Sequence, residues 1–168
     1  MPPKNQRWWL TTDSQSVDVD APADRIYDLV ADLPRMGEWS NECGSVEWTN
    51  GATGAAPDAS FVGHNHTGPR GFIKWSRNGH VRTADRGREF AFATEEGGSE
   101  GVVWCYRFEP RGDRTLVTEA YEVRRIPTWA RILDVPTNRH RALLKSMRHT
   151  LEQLKAAAES ATIPGATQ

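Results

Sequence analysis

The sequence contains little cysteine and none of the familiar catalytic motifs. Its 168 residues include two cysteines, Cys43 and Cys105, without the CxxC spacing that is typical of a zinc site. Two cysteines form at most one bridge, which is too few for a disulfide scaffold, so we expect free, buried thiols. No nucleophile elbow, P-loop, dinucleotide fingerprint or HExxH sequence is present. The sequence therefore predicts no cofactor and does not support covalent catalysis.

Long hydrophobic runs and an excess of charge of one sign are also missing. No apolar stretch reaches the roughly 18 residues of a membrane-spanning helix, and the start MPPKNQRWWL lacks the apolar core of a secretory signal. We therefore expect a cytoplasmic protein without a transmembrane segment. The 21 Lys and Arg residues nearly balance 22 Asp and Glu residues, so no basic footprint indicates a nucleic-acid partner.

Two histidines have spacing that can suit a metal ion. His64 and His66 are two residues apart, so both project from one face of a predicted strand. That face lies opposite Phe61 and is expected to be the outer one, and no third ligand lies nearby in the sequence. We therefore expect no metal site.

Aromatic residues are the distinctive part of the composition. Seven Trp, five Phe and three Tyr supply large, rigid apolar surfaces. The length fits one hydrophobic core. We expect a single domain over residues 8–160, with flexible ends at residues 1–7 and 161–168 that contain several Pro and polar residues.

Hydrophobic periodicity predicts a short helix after a first strand over residues 8–19. Ile26, Leu29, Val30 and Leu33 follow the i, i+3, i+4, i+7 pattern of a helix face. Pro34 ends this pattern, and the segment around Trp39 is expected to be a loop or one short helical turn.

Six short strand-like runs follow, separated by turn sequences such as Asn50-Gly51 and Gly97-Gly98. Close spacing without intervening helices predicts an antiparallel meander. A long helix then begins near Asn138, and its apolar stripe comprises Leu143, Leu144, Met147, Leu151, Leu154 and Ala158. The expected fold class is α+β, with a curved seven-stranded antiparallel sheet wrapped around the C-terminal helix and short helices after strand 1.

Strand alternation places one carboxylate on the aromatic inner face of the sheet. Glu119 falls on the same face as Tyr121, while Arg77 falls on the inner face of another strand. A buried carboxylate is costly unless it is paired or protonated, and Arg77 is its expected partner. The pair has two interpretations, a structural ion pair or the polar contacts that orient a ligand in an apolar pocket.

Several strings of the sequence resemble a known family. They are DAPADRIYDLVADLPRMGEWSNEC, NGATG, FVGHN, WSRNGHV, GREFAF and WCYRFEPRGDRTLVTEAYE. In these strings the chain resembles the SRPBCC superfamily, which includes START domains and the birch pollen allergen, and within it the actinobacterial branch of polyketide cyclase/dehydrase and lipid transport proteins. It departs from that branch at Asn41, where the resemblance leads us to expect proline, so we expect the loop near Trp39 and Glu42 to be less rigid than in the branch.

The resemblance implies a helix-grip fold with a deep cavity between the sheet and the last helix. The inner-face residues then become the expected ligand-binding lining. They are Phe61, Asn65, Trp75, Arg77, Phe90, Phe92, Trp104, Tyr106, Glu119, Tyr121 and Met147.

Three functions are compatible with this sequence. The first is binding or transport of a hydrophobic small molecule, lipid or polyketide-like. The alternative is a polyketide cyclase or dehydratase that uses Glu119, Arg77 or His140 as acid–base groups, and the sequence leaves enzyme activity open. The third is an interaction protein whose partner meets the basic C-terminal helix, and a homodimer is also left open.

Overall fold

The computed structural model describes residues 12–67, 71–130, 132 and 138–160. Within these ranges it contains seven strands, the helices α1 and α2, and a 3-10 helix between α1 and β2. The elements are β1 Thr12–Val19, α1 Ala23–Ala31, the 3-10 helix Leu33–Glu38, β2 Cys43–Trp48, β3 Ser60–Thr67, β4 Ile73–Asp85, β5 Glu89–Glu96, β6 Ser99–Arg111, β7 Arg114–Val123 and α2 Arg139–Ser160.

The strands form one antiparallel sheet in the order β1-β7-β6-β5-β4-β3-β2. Strands β2 to β7 pair with their neighbours in sequence, and β1 pairs with β7 at the other edge. The register shifts between Val81 and Thr83 in β4 and between Thr94 and Glu95 in β5. Bulges of this kind bend a strand and increase its twist, which helps the sheet to curve. The α+β fold class predicted from the sequence is confirmed.

The segment after β1 forms two short helices. Pro22 precedes α1 with φ −63° and ψ 145°, and α1 buries Ile26, Tyr27 and Val30 against the sheet core. The chain leaves α1 at Ala31, and Pro34 lies in the first turn of the 3-10 helix, where a missing N–H costs little. This 3-10 helix is the short helical turn expected around Trp39.

Helix α2 packs on β1 and α1. Most of its predicted apolar stripe is buried, namely Leu143, Met147, Leu151, Leu154 and Ala158, while Leu144 is half-buried. Its N-terminal half meets Tyr121 in a second, smaller cluster. None of the helices within the described residues is long and apolar enough to cross a membrane.

Some predictions lie outside the described part of the chain. The start of the first strand at residues 8–11 belongs to this group, as do the ends 1–7 and 161–168. The boundaries of the single domain therefore stay a prediction. Both cysteines are free thiols, and both are half-buried rather than buried as expected.

A glycine in β4 makes room for an aromatic ring on the inner face. Gly79 lies directly opposite Phe61 of β3. A Cβ atom at Gly79 would lie 2.5 Å from the Phe61 ring and 2.5 Å from the carbonyl oxygen of Ala93. The ring therefore occupies the space that a side chain at Gly79 would need, and the Ala93 backbone cannot easily move away.

The substitution Gly79→Ala is expected to destabilise the protein by about 1–3 kcal/mol, because the added methyl group overpacks a region bounded by backbone. Urea denaturation measures the free energy of unfolding. Gly54→Ala is the matched control, since a Cβ atom there meets nothing within 4 Å. Equal stability of the two variants would contradict the packing described here.

Candidate ligand cavity

A cavity of about 120 Å³ lies between the inner face of the sheet, the 3-10 helix and α2. Its wall is mainly apolar, with aromatic rings from β3, β5 and β6. The Phe61 and Phe92 rings meet edge to face with centroids 5.6 Å apart. The sheet and helices thus leave a small, largely apolar and partly open space that side chains do not fill.

Much of the lining expected from strand alternation is part of this wall. The residues in common are Phe61, Asn65, Arg77, Phe92, Trp104, Tyr106, Glu119 and Met147. Alternation works here because residues two apart on a strand share a face, and the inner face is the one that meets α2.

Three residues expected in the lining lie outside the described wall. Phe90 is fully buried in the main core, with its ring edge to face with Tyr27 at 6.0 Å. Tyr121 packs behind the wall against Trp104, with ring centroids 5.7 Å apart. Trp75 is half-buried and borders a shallow surface groove with Asn65 near the start of β4. Alternation gives the face of a residue but not how far along the strand the cavity extends.

Other wall residues were missed by the sequence analysis. They are Leu33, Met36, Ser40, Glu42, Cys43, Val46, Gly63, Thr94, Leu143, Ser146 and Thr150. Two sequence patterns could have predicted some of them. The alternation of β5, continued beyond Phe92, places Thr94 on the same face. Helical spacing from Leu143 places Ser146 and Thr150 on the same helix face.

Glu119 is the buried carboxyl of the cavity. It is 3% exposed and lies directly opposite Tyr106 in the β6–β7 register. The Tyr106 hydroxyl donates a hydrogen bond of 2.7 Å to Oε1. Among the described residues, Oε2 has no hydrogen-bond partner. Only one of the two carboxyl oxygens of Glu119 therefore has a hydrogen-bond partner among the described residues.

Burial controls the protonation of this carboxyl. Desolvation raises the pKa of Glu119 to about 8, and the hydrogen bond from Tyr106 offsets part of the rise. The same burial, together with the nearby carboxyl, raises the pKa of Tyr106 well above its usual value. Burial also raises the pKa of the Cys43 thiol to about 11. Near neutral pH all three groups are protonated, so the cavity wall around Glu119 carries donors rather than anions.

The predicted Arg77–Glu119 pair is wrong. Arg77 forms its ion pair with Glu96 of β5. The β4–β5 register pairs Gly79 with Thr94, and the Arg77–Glu96 ion pair lies two residues beyond this pair on each strand. Strand alternation identified the face of Arg77 correctly, but the partner depends on the register, which alternation does not supply.

An ion pair joins two other parts of the wall. At the start of α2, Arg139 Nη1 and Nη2 donate hydrogen bonds of 2.5 Å to Oε1 and Oε2 of Glu42, respectively. The Ser40 hydroxyl accepts hydrogen bonds from the backbone N–H groups of Glu42 and Cys43, at 3.3 and 3.0 Å. These bonds hold the loop at Asn41.

His140, a candidate acid–base residue, is not part of the described wall. Its Nδ1 lies 2.8 Å from the Tyr121 hydroxyl, and its Nε2 lies 3.2 Å from a carboxylate oxygen of Asp13. Tyr121 stands between His140 and Trp104 of the wall. The imidazole therefore supports the wall from behind instead of facing the cavity.

The two histidines of β3 are not joined by a third potential metal ligand among the described residues. His64 Nδ1 lies 2.8 Å from the Ser76 hydroxyl, on the face away from the cavity. In the described ranges, no group of three or more His, Cys, Asp or Glu side chains is arranged to hold a metal ion.

A comparison with known protein families identifies the family of this chain. A family model described as polyketide cyclase / dehydrase and lipid transport matches residues 12–159. The chain belongs to this family. Its membership confirms the SRPBCC resemblance noted in the sequence. No protein of curated function matches the sequence.

Solved structures share the helix-grip fold of this family member. DR_A0006 from Deinococcus radiodurans is 18% identical with a TM-score of 0.63, and the match covers 90% of this chain and 99% of that chain. The Polyketide_cyc-like protein Cgl2372 from Corynebacterium glutamicum is 27% identical with a TM-score of 0.60, covering 94% and 96%. One further structure is the di-domain ARO/CYC protein StfQ from the steffimycin biosynthetic pathway. It is 14% identical with a TM-score of 0.72, and the match covers 94% of this chain and 53% of that chain.

The raised pKa of Glu119 predicts a pH-dependent stability. The unfolded chain releases this proton near pH 4.5, whereas the folded chain keeps it until about pH 8. The stabilisation from this group is complete below pH 4.5 and falls by about 1.4 kcal/mol per pH unit as the pH rises toward 8. Glu119→Gln removes the titration and keeps the shape.

Urea denaturation of the wild type and Glu119→Gln at pH 5 and pH 8 tests this expectation. The difference in unfolding free energy between the two proteins should change by roughly 3–4 kcal/mol in favour of the variant at pH 8. Because all other titratable groups are the same in the two proteins, their contributions to the pH dependence cancel in this difference of unfolding free energies. A difference that stays constant with pH would contradict a protonated Glu119.

Proposed function

We propose that the protein binds a hydrophobic small molecule in the cavity between the sheet and α2. The observation that carries this proposal is the partly open, mainly apolar space with a few convergent polar groups. Small-molecule sites are usually built in this way, with apolar walls for affinity and a few polar atoms for orientation. Transport of the bound molecule is the wider role that the family description suggests.

The volume limits the size of the ligand. A cavity of about 120 Å³ is close to the roughly 150 Å³ that holds one benzene ring, and below the roughly 300 Å³ at which drug-sized sites begin. One ring or a short chain therefore fits the wall as it stands. A longer lipid or polyketide would require the wall to widen, and the Glu42–Arg139 ion pair joins the two elements that would have to separate.

A cyclase or dehydratase is the second candidate. The observation that favours it is Glu119, whose pKa of about 8 suits a general acid near neutral pH. Arg77 faces the cavity but is held by Glu96, and His140 is screened by Tyr121. This candidate predicts that Glu119→Gln abolishes turnover of a poly-β-ketone substrate while ligand binding persists. Unchanged turnover would remove Glu119 from the reaction.

Binding is tested by titrating ¹⁵N-labelled protein with toluene and following backbone amide shifts. We expect saturable shifts at cavity residues with a dissociation constant of about 0.1–1 mM, which corresponds to about 4–5.5 kcal/mol. Ser146→Leu fills the cavity from α2 and should weaken binding at least tenfold. Ala142→Leu makes a comparable change at an exposed position of the same helix and should bind like the wild type.

The proposal fails if wild-type protein shows no saturable shifts. It also fails if Ser146→Leu, folded by the criterion of its amide spectrum, binds toluene as tightly as Ala142→Leu. The second result would place the ligand somewhere other than this cavity.

A further inference from the structure

The cavity has a polar feature that apolar binding does not need. Glu119 is 3% exposed, lines the cavity, and has one oxygen, Oε2, without a hydrogen-bond partner among the described residues. An unpartnered buried polar atom lowers stability, so such atoms are uncommon in folded proteins and call for an explanation. A ligand atom in the cavity would supply the missing partner.

The charged groups around Glu119 are already paired with other residues. Among the titratable wall residues, Arg77 pairs with Glu96, and Glu42 pairs with Arg139. Cys43 carries a thiol whose pKa burial raises to about 11.

The remaining surroundings of Glu119 bring no further charge. Tyr106 donates its hydroxyl hydrogen to Oε1. From α2, the wall receives Leu143, Ser146, Met147 and Thr150, none of which titrates. On β1, the residue opposite Glu119 is Gln15.

The hydrogen-bond directions then determine what Oε2 can offer. When Tyr106 donates to Oε1, the acid proton lies on Oε2. Burial raises the pKa of Glu119 to about 8, so this proton is present at neutral pH. Oε2 is itself buried in the wall, so a small rotation of the carboxyl would bring its O–H donor to a ligand in the cavity.

We propose that the cavity selects uncharged, one-ring molecules that carry a carbonyl oxygen, and that Glu119 Oε2 donates a hydrogen bond to this oxygen. This selection rests on the proposed binding function. An anionic ligand finds its possible cationic partners already paired, because Arg77 and Arg139 are held by carboxylates. A cationic ligand would need Glu119 to ionise inside an apolar wall, which desolvation opposes.

Two molecules of nearly equal shape isolate the contribution of this hydrogen bond to the binding affinity. Cyclohexanone and methylenecyclohexane differ only in a carbonyl oxygen replaced by a CH₂ group. At pH 6 we expect cyclohexanone to bind roughly two- to tenfold more tightly, as one net hydrogen bond would give. The preference should disappear as the pH rises through about 8, when the donor is lost. Cyclohexylammonium and cyclohexanecarboxylate should bind at least tenfold more weakly than cyclohexanone at pH 6.

Variants of Glu119 separate the hydrogen bond from the shape of the cavity. Glu119→Gln keeps an N–H donor that does not titrate, so it should keep the preference for cyclohexanone at both pH 6 and pH 9. Glu119→Leu alone would free the Tyr106 hydroxyl as a donor in the wall, so it is combined with Tyr106→Phe. This double variant has no donor at either position and should bind the two molecules equally. If the double variant fails to fold, the comparison of the two molecules in wild-type protein at the two pH values still decides the question.

The outcomes distinguish the two proposals. Equal binding of cyclohexanone and methylenecyclohexane to the wild type would overturn the selection while leaving the binding function in place. A preference that survives in the Glu119→Leu/Tyr106→Phe variant, or tighter binding of cyclohexylammonium, would also overturn it. Failure of every neutral molecule to bind would overturn both proposals.

Discussion

The hydrogen bond between Tyr106 and Glu119 sets the chemistry of the cavity. The two residues are direct cross-strand partners in β6 and β7, so the register of the hairpin brings the hydroxyl to the carboxyl at 2.7 Å. Both side chains point toward α2 and are almost fully buried. Without a facing cation, desolvation dominates, and the carboxyl is kept as a neutral acid. The polarity of the cavity therefore follows from strand pairing and burial rather than from an ion pair.

The ion pairs at the edge of the cavity have a complementary effect. Arg77 is neutralised by Glu96 from the neighbouring strand, and Arg139 is neutralised by Glu42 across the gap between α2 and the loop before β2. Each pair is partly exposed, so its desolvation cost is modest. Because both guanidinium groups form ion pairs with these carboxylates, the cavity is left with weak donors and apolar surface. The cavity is thus suited to neutral molecules.

The sequence predicted the fold well because the fold depends on periodicity. The turn sequences divided the strands correctly, and the spacing of Leu143, Met147, Leu151 and Leu154 identified the buried face of α2. Alternation also found Glu119 and Trp104 in the wall. Alternation could not predict which residues pair across neighbouring strands, nor how far along each strand the cavity extends. Arg77 was assigned the wrong carboxylate, because its true partner is set by strand pairing, and Tyr121 was placed in the lining although Trp104 covers it.

The protonation state of Glu119 is the central claim of this account, and the ¹³C NMR titration of its side-chain carboxyl carbon tests it most directly. The spectrum is recorded on selectively labelled protein from pH 4 to pH 10, with Glu119→Gln to assign the signal. The account predicts a midpoint at about pH 8. A midpoint at the ordinary value of 4.5 would contradict it, because the cavity would then carry an anion at neutral pH.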